Sequence, residues 1–179
     1  MMKEWKILIA VDLQNDFIDG ALGTKEAVAI VPEAAKRIRE CREAGYEVYA
    51  TLDTHGEDYM ETREGKRLPV PHCIRNTRGW EINPEIRKAL GNSFLVEKPT
   101  FGSVRLMEMI RDSVEPGQKV TIELIGLCTD ICVVSNAMLL KAALPEAQVQ
   151  VSAACCAGVT PEKHRASLET MASCQIDIL

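Results

Sequence analysis

Short apolar runs alternate with amphipathic helical stretches along nearly all of this 179-residue chain. That alternation restricts the fold more than any other feature. Ile7 to Val11, Tyr46 to Leu52, Phe94 to Val96, Lys119 to Ile125, Gln148 to Ala153 and Gln175 to Ile178 read as strands. Between them, Val31 to Ala44, Ser103 to Val114, Cys132 to Ala143 and Pro161 to Ser173 carry helical periodicity. In the first of these, Pro32 near the start and Gly45 at the stop are the expected punctuation. Parallel neighbours in a sheet need a long crossover, usually a helix, so this order predicts βαβ units. The expectation is one domain over residues 1–179, a three-layer α/β/α fold with a six-stranded, mostly parallel, Rossmann-like sheet.

Composition narrows the functional classes. Hydrophobic content of 46% and charged content of 26% are those of an ordinary globular chain. A net charge of −5 without any Lys/Arg run argues against nucleic-acid binding. The first apolar run is too short for a signal sequence or a membrane span, which points to a cytoplasmic protein without a membrane partner. Seven cysteines, with no Cys-x-x-Cys pair, read as reduced thiols rather than a disulfide framework or a zinc ribbon.

One stretch breaks the alternation. Residues 53–94 are polar, hold Gly65, Pro69, Pro71 and Gly79, and lack a clear strand. A loop of that length in a compact α/β domain is usually functional or disordered. Ligands of open parallel sheets bind beyond the carboxyl ends of the strands. Asp12, Asp53, Lys98 and Cys132 all fall at or just past such ends. Cys132 lies in Ile125-Gly126-Leu127-Cys128-Thr129-Asp130-Ile131-Cys132-Val133-Val134, where a strand turns into an apolar helix. A cysteine in a helix's first turn gains thiolate character, and the spare N–H groups there can hold an oxyanion.

Four ordered motifs resemble the isochorismatase-like cysteine hydrolase superfamily, and within it the nicotinamidase/pyrazinamidase branch. They are Val11-Asp12-Leu13-Gln14-Asn15-Asp16-Phe17, then Asp53-Thr54-His55 with Pro71-His72-Cys73, then Glu97-Lys98-Pro99-Thr100-Phe101, and last Gly126 to Val133. The resemblance implies an Asp-Lys-Cys triad and frequent homo-oligomers. Cys132 matches the nucleophile, Asp12 the general base and acid, and Lys98 the third member. It also implies a non-proline cis peptide just before Cys128, and makes the backbone N–H groups of Cys128 and Cys132 the oxyanion donors. A thiol of ordinary pKa is mostly protonated at neutral pH, so a base beside it and a cation to hold its charge are physically apt.

The branch also implies a metal. Asp53 and His55 occupy alternate positions of an extended segment and so point the same way. With His72 they make a carboxylate and two imidazoles, a standard divalent-metal set. Glu64 resembles the fourth ligand of some nicotinamidases, although its spacing to His72 is one residue longer than the pattern; Glu57 and Glu61 are the fallbacks. Zinc suits these ligands, as iron or manganese would. A pyridine nitrogen could take an open position. Phe17 and Trp80 are the candidate pocket residues, with Trp80 equally able to anchor its loop. Gln14 could orient Asp12 or the substrate, Asp16 supports the local loop, Arg75 and Arg78 read as solvated, and His164 as a surface residue.

These features predict hydrolysis of nicotinamide to nicotinate and ammonia. The competing readings are a carbamoyl or ureido amidase on the same triad, a vinyl-ether hydrolase for which Cys132 would be superfluous, and a non-catalytic binding domain on this fold.

Overall fold

The computed structural model describes residues 4–179; Met1, Met2 and Lys3 lie outside the described residues. Strand β1 spans Trp5–Val11 and is followed by a one-turn helix α1, Asn15–Ile18, and the long helix α2, Lys25–Glu43. Strand β2 is Glu47–Asp53. The polar stretch after it holds a 3-10 turn at Tyr59–Glu61, a short helix α3 at Arg63–Arg67 and helix α4 at Pro84–Leu90. Then come β3 (Phe94–Lys98), α5 (Val104–Ser113), β4 (Val120–Leu127), a π-helical turn at Thr129–Val133, α6 (Val134–Ala143), β5 (Gln148–Ala157), α7 (Pro161–Ser173) and β6 (Asp177–Ile178).

The six strands form one sheet in the order β3-β2-β1-β4-β5-β6, with every adjacent pair parallel. Alternate residues of each strand feed the two faces. Leu8, Ala10, Val48, Ala50, Ile125 and Leu127 pack with Ala34, Ile38 and Ile86 of α2 and α4. Ile7, Ile9, Tyr49, Ile122 and Leu124 pack with Leu106, Ala137, Leu140 and Met171 of α5, α6 and α7. The three-layer architecture predicted by the alternation is the one observed. Among the described residues no helix is long and apolar enough to cross a membrane.

Before β3 the helices depart from the sequence reading in two places. Helix α2 starts at Lys25, not Val31, because the Thr24 side chain caps it by accepting from the Ala27 N–H at 3.0 Å. Pro32 therefore sits inside the helix. The bond it forfeits would end on the Val28 carbonyl, and Val28 is 48% exposed, so water can satisfy that oxygen. Residues 53–94 also contain more helix than expected: α3 is capped by Thr62 and α4 by Asn83, with Pro84 as its first residue.

The chain order reverses at β1 and β4, the central pair. β1 is followed by α2 on one face and β4 by α6 on the other, so the crevice at their carboxyl ends is the natural ligand position. Gly126 makes the close approach there: it has φ +118°, and a Cβ on it would lie 2.1 Å from the Val11 carbonyl oxygen.

Candidate active site

Asp12 is the first residue beyond β1, held at φ +48°. Its N–H donates to the Thr51 carbonyl and to Thr51 Oγ1, both at 3.2 Å. Thr51 in turn donates its hydroxyl hydrogen to Asp12 Oδ1 at 2.7 Å. The buried carboxylate is thus aimed from two sides. Its other oxygen, Oδ2, lies 2.7 Å from the Lys98 ammonium but off the line of a hydrogen bond, and has no other partner.

Lys98 ends β3 and is 1% exposed. Its Nζ also reaches Asp53 Oδ1 at 3.3 Å, the Thr100 carbonyl at 2.9 Å and Cys132 Sγ at 3.5 Å. A lysine buried this deeply survives as a cation only among such partners. Burial alone would lower its pKa, but Asp12, Cys132 and Asp53 outweigh that and hold it well above the ordinary lysine value.

Cys132 sits within the π-helical turn rather than in the first turn of a regular helix. The Leu127–Cys128 peptide bond that precedes the turn is cis. Here the expected thiolate bias is corrected. Burial, reinforced by Asp12 and Asp53, pushes the Cys132 thiol well above its ordinary value, and Lys98 only partly opposes this. Burial likewise raises the Asp12 carboxyl, against the pull of Lys98. The resting arrangement is therefore a neutral thiol beside a carboxylate of heightened basicity, an arrangement suited to proton transfer during attack rather than before it.

Four side chains gather next to this triad. One ligand atom each from Asp53, His55, Glu64 and His72 lies within 4.8 Å of the others. Asp53 Oδ2 is 3.0 Å from His55 Nε2 and 3.5 Å from His72 Nε2, and Glu64 Oε1 is 3.8 Å from each imidazole. His72 Nδ1 donates to the Val70 carbonyl at 2.8 Å, which leaves Nε2 bare toward the group. Two imidazoles and two carboxylates, three of the four residues buried, fit a divalent cation by number, chemistry and convergence. The odd spacing of Glu64 is absorbed by helix α3, which brings that residue back over the imidazoles.

Phe17 stands edge-on to His72, with ring centroids 5.5 Å apart. Trp80 packs against the core, donates from Nε1 to Thr54 Oγ1 at 2.8 Å, and offers its carbonyl to Gln14. Gln14 bonds to Asp53 rather than to Asp12; its amide is held on both sides of that residue, accepting from the N–H and donating to the carbonyl. Asp16 accepts the Cys73 N–H at 2.8 Å and so ties the first motif to the segment carrying His72. Arg75, itself exposed, is paired with half-buried Glu97.

Three neighbours of these residues carry no motif signal. Thr51 lies inside a buried strand. Asn136 donates to the Cys132 carbonyl at 2.8 Å and accepts from the Ser103 N–H at 2.9 Å. It is a polar residue one turn after Cys132 in an apolar helix, a pattern that could have marked it. His164, expected at the surface, is instead half-buried, with Nδ1 2.7 Å from Thr129 Oγ1.

The family model for the Isochorismatase domain matches residues 6–179. The chain belongs to the isochorismatase family. Among proteins of that fold it is 28% identical to the pyrazinamidase of Pyrococcus horikoshii solved in complex with zinc, with a TM-score of 0.81 over 97% of this chain and 98% of that one. Against the N-carbamoylsarcosine amidase of Thermoplasma acidophilum the values are 25% identity and a TM-score of 0.75, covering 97% and 95%. Nicotinamidase 1 of Arabidopsis thaliana is 28% identical over 145 residues, which are 70% of this chain and 56% of the plant protein.

Proposed function

We propose that this protein is a metal-assisted cysteine amidohydrolase, and specifically a nicotinamidase that converts nicotinamide to nicotinate and ammonia. The coarser class is plain: the chain is a hydrolase acting on amide C–N bonds, like the pyrazinamidase and nicotinamidase to which it is similar. The observation that carries the finer reading is the four-residue donor group of Asp53, His55, Glu64 and His72, joined to the triad through the shared carboxylate of Asp53.

In this reading Cys132 attacks the carboxamide carbon as Asp12 takes its proton. The cation of Lys98 offsets the negative charge that the buried site would otherwise disfavour. Backbone N–H groups of Cys128 and Cys132 receive the oxyanion, each contributing about 3–4 kcal/mol when aligned. Asp12 returns its proton to the departing ammonia, which leaves a thioester, and then activates the water that releases nicotinate. A divalent ion held by the four ligands, zinc first with iron or manganese as alternatives, would supply Lewis acidity and an anchor for the pyridine nitrogen. Phe17 would flank the ring, and Trp80 would brace the wall behind it. We place the protein in the cytoplasm as a one-domain homo-oligomer serving NAD salvage.

Ammonia release from nicotinamide by metal-replete protein, with a chelator-treated control, tests the proposal. Rapid, chelator-sensitive release is expected. No release from folded, metal-replete protein would sink the nicotinamidase reading and turn attention to carbamoyl and ureido amides.

A further inference from the structure

The turn that carries Cys132 is gripped from behind by the segment joining β5 to α7. Asp130 Oδ1 accepts the Val159 N–H at 2.9 Å. One residue earlier, Thr129 is fully buried and its hydroxyl meets His164 Nδ1 at 2.7 Å. Gly158 lets the two segments close: a Cβ there would stand 2.8 Å from the His164 nitrogen and 2.9 Å from Asp130 Oδ1. His164 borders a small cavity of about 270 Å³ walled by Ile30, Cys156, Ala157 and Pro161. Burial, with Arg165 alongside, keeps this imidazole below its ordinary pKa, and its Nδ1 shares a hydrogen with the Thr129 hydroxyl.

Thr129 directly follows Cys128, and the Cys128 carbonyl accepts from the N–H groups of Ile131 and Val133 at 3.0 and 3.1 Å. The orientation of the Cys128 peptide unit therefore depends on where Thr129 is held. We propose that His164 is a positioning residue: through Thr129 it fixes the turn whose backbone N–H groups receive the oxyanion. Its side-chain hydrogen bond is to Thr129 and not to a member of the triad. The role follows from the reading of Cys128 and Cys132 as oxyanion donors, and holds for any carbonyl substrate. A misplacement of about 1 Å remote from the chemistry can cost about a hundredfold in rate, so loss of this hold is worth at least about tenfold.

The test compares two electrophiles. p-Nitrophenyl acetate acylates Cys132 through a tetrahedral oxyanion, whereas iodoacetamide alkylates the same thiol without one. His164→Leu should slow the acylation burst by about tenfold or more and change alkylation by less than about threefold. His164→Asn, which keeps a polar atom near the Nδ1 position, should recover most of the acylation rate. Thr129→Val, which removes only the hydroxyl, should reproduce the leucine variant and serves in its place if that variant does not fold. Equal slowing with both electrophiles, or slowing with neither, would overturn the proposal. A parent protein acylated by the ester yet inactive on nicotinamide would sink the nicotinamidase reading and leave the role of His164 standing.

Discussion

Asp53 Oδ1 lies 3.3 Å from the Lys98 ammonium. The same carboxylate turns Oδ2 to His55 and His72, so one side chain serves both the triad and the candidate metal group. Burial works to raise this carboxyl, but the two facing imidazoles and the charge of Lys98 hold it well below the ordinary aspartate value. The two halves of the site are thereby coupled through a residue that stays ionised.

Substituting Asp53→Asn keeps the shape and removes the charge. It should lower metal affinity by at least about 10–100-fold and also speed iodoacetamide alkylation of Cys132, because the Asp53 charge that helps hold the thiol protonated is gone. His72→Ala should weaken the metal to a similar degree while leaving the thiol reaction within about threefold of the parent. Metal content per chain and the alkylation rate separate the two effects. An Asp53→Asn protein with full metal content and an unchanged thiol would refute the coupling.

Removing the nucleophile is the sharper test of the triad. Cys132→Ala should leave less than about 1% of turnover, since the covalent route has no substitute at that position. The side chain is buried but small, so the melting temperature should move by no more than about 5 °C. Activity above a few per cent in a folded, uncontaminated variant would remove Cys132 from the mechanism.

Much of the fold and the site is legible in the chain itself, because strand ends in a parallel sheet collect their residues at one edge. Asp12, Asp53 and Lys98 end or follow neighbouring strands, so periodicity alone brings them together. Loop spacing carries no geometry for Glu64, and the turn of helix between Arg63 and Arg67 decides where it points. The state of Cys132 is not legible in the sequence for a different reason. Helix-end electrostatics are local, whereas the burial that dominates its pKa comes from residues far apart in sequence. The bond between Thr129 and His164 joins positions 35 apart, and no motif marks it.

Gln14 offers a prediction about stability rather than chemistry. It is fully buried, and its amide meets the Asp53 N–H at 2.8 Å, the Asp53 carbonyl at 2.9 Å and the Trp80 carbonyl at 2.8 Å. Gln14→Leu has nearly the same volume but strands all three backbone groups without water. Each orphan costs about 1–3 kcal/mol, so a loss of roughly 3 kcal/mol or more is expected in urea unfolding. A change under 1 kcal/mol would mean that water enters and replaces the amide.

Glu123 ties pH to stability far from the active site. It sits fully buried in β4, on the face covered by α2, and accepts from Arg37 Nε at 2.7 Å and Nη2 at 2.6 Å, with Ser152 and Gln150 completing its shell. Burial would raise the carboxyl, but the hydrogen bonds from Arg37 and Ser152 win and hold it below its ordinary value. A carboxyl with a depressed folded pKa stabilises fully above its unfolded pKa of about 4.3, and that stability is lost as pH falls below it toward the folded value. Glu123→Gln, which removes the buried counter-charge and leaves Arg37 its longer pair with Glu40 at 3.6 Å, should cost about 1–3 kcal/mol at pH 6.5. Because the parent alone loses this term in acid, the gap between parent and variant should narrow steadily in urea melts from about pH 4.5 to pH 3. A gap that stays constant across that window would show that the Glu123 charge does not contribute to stability.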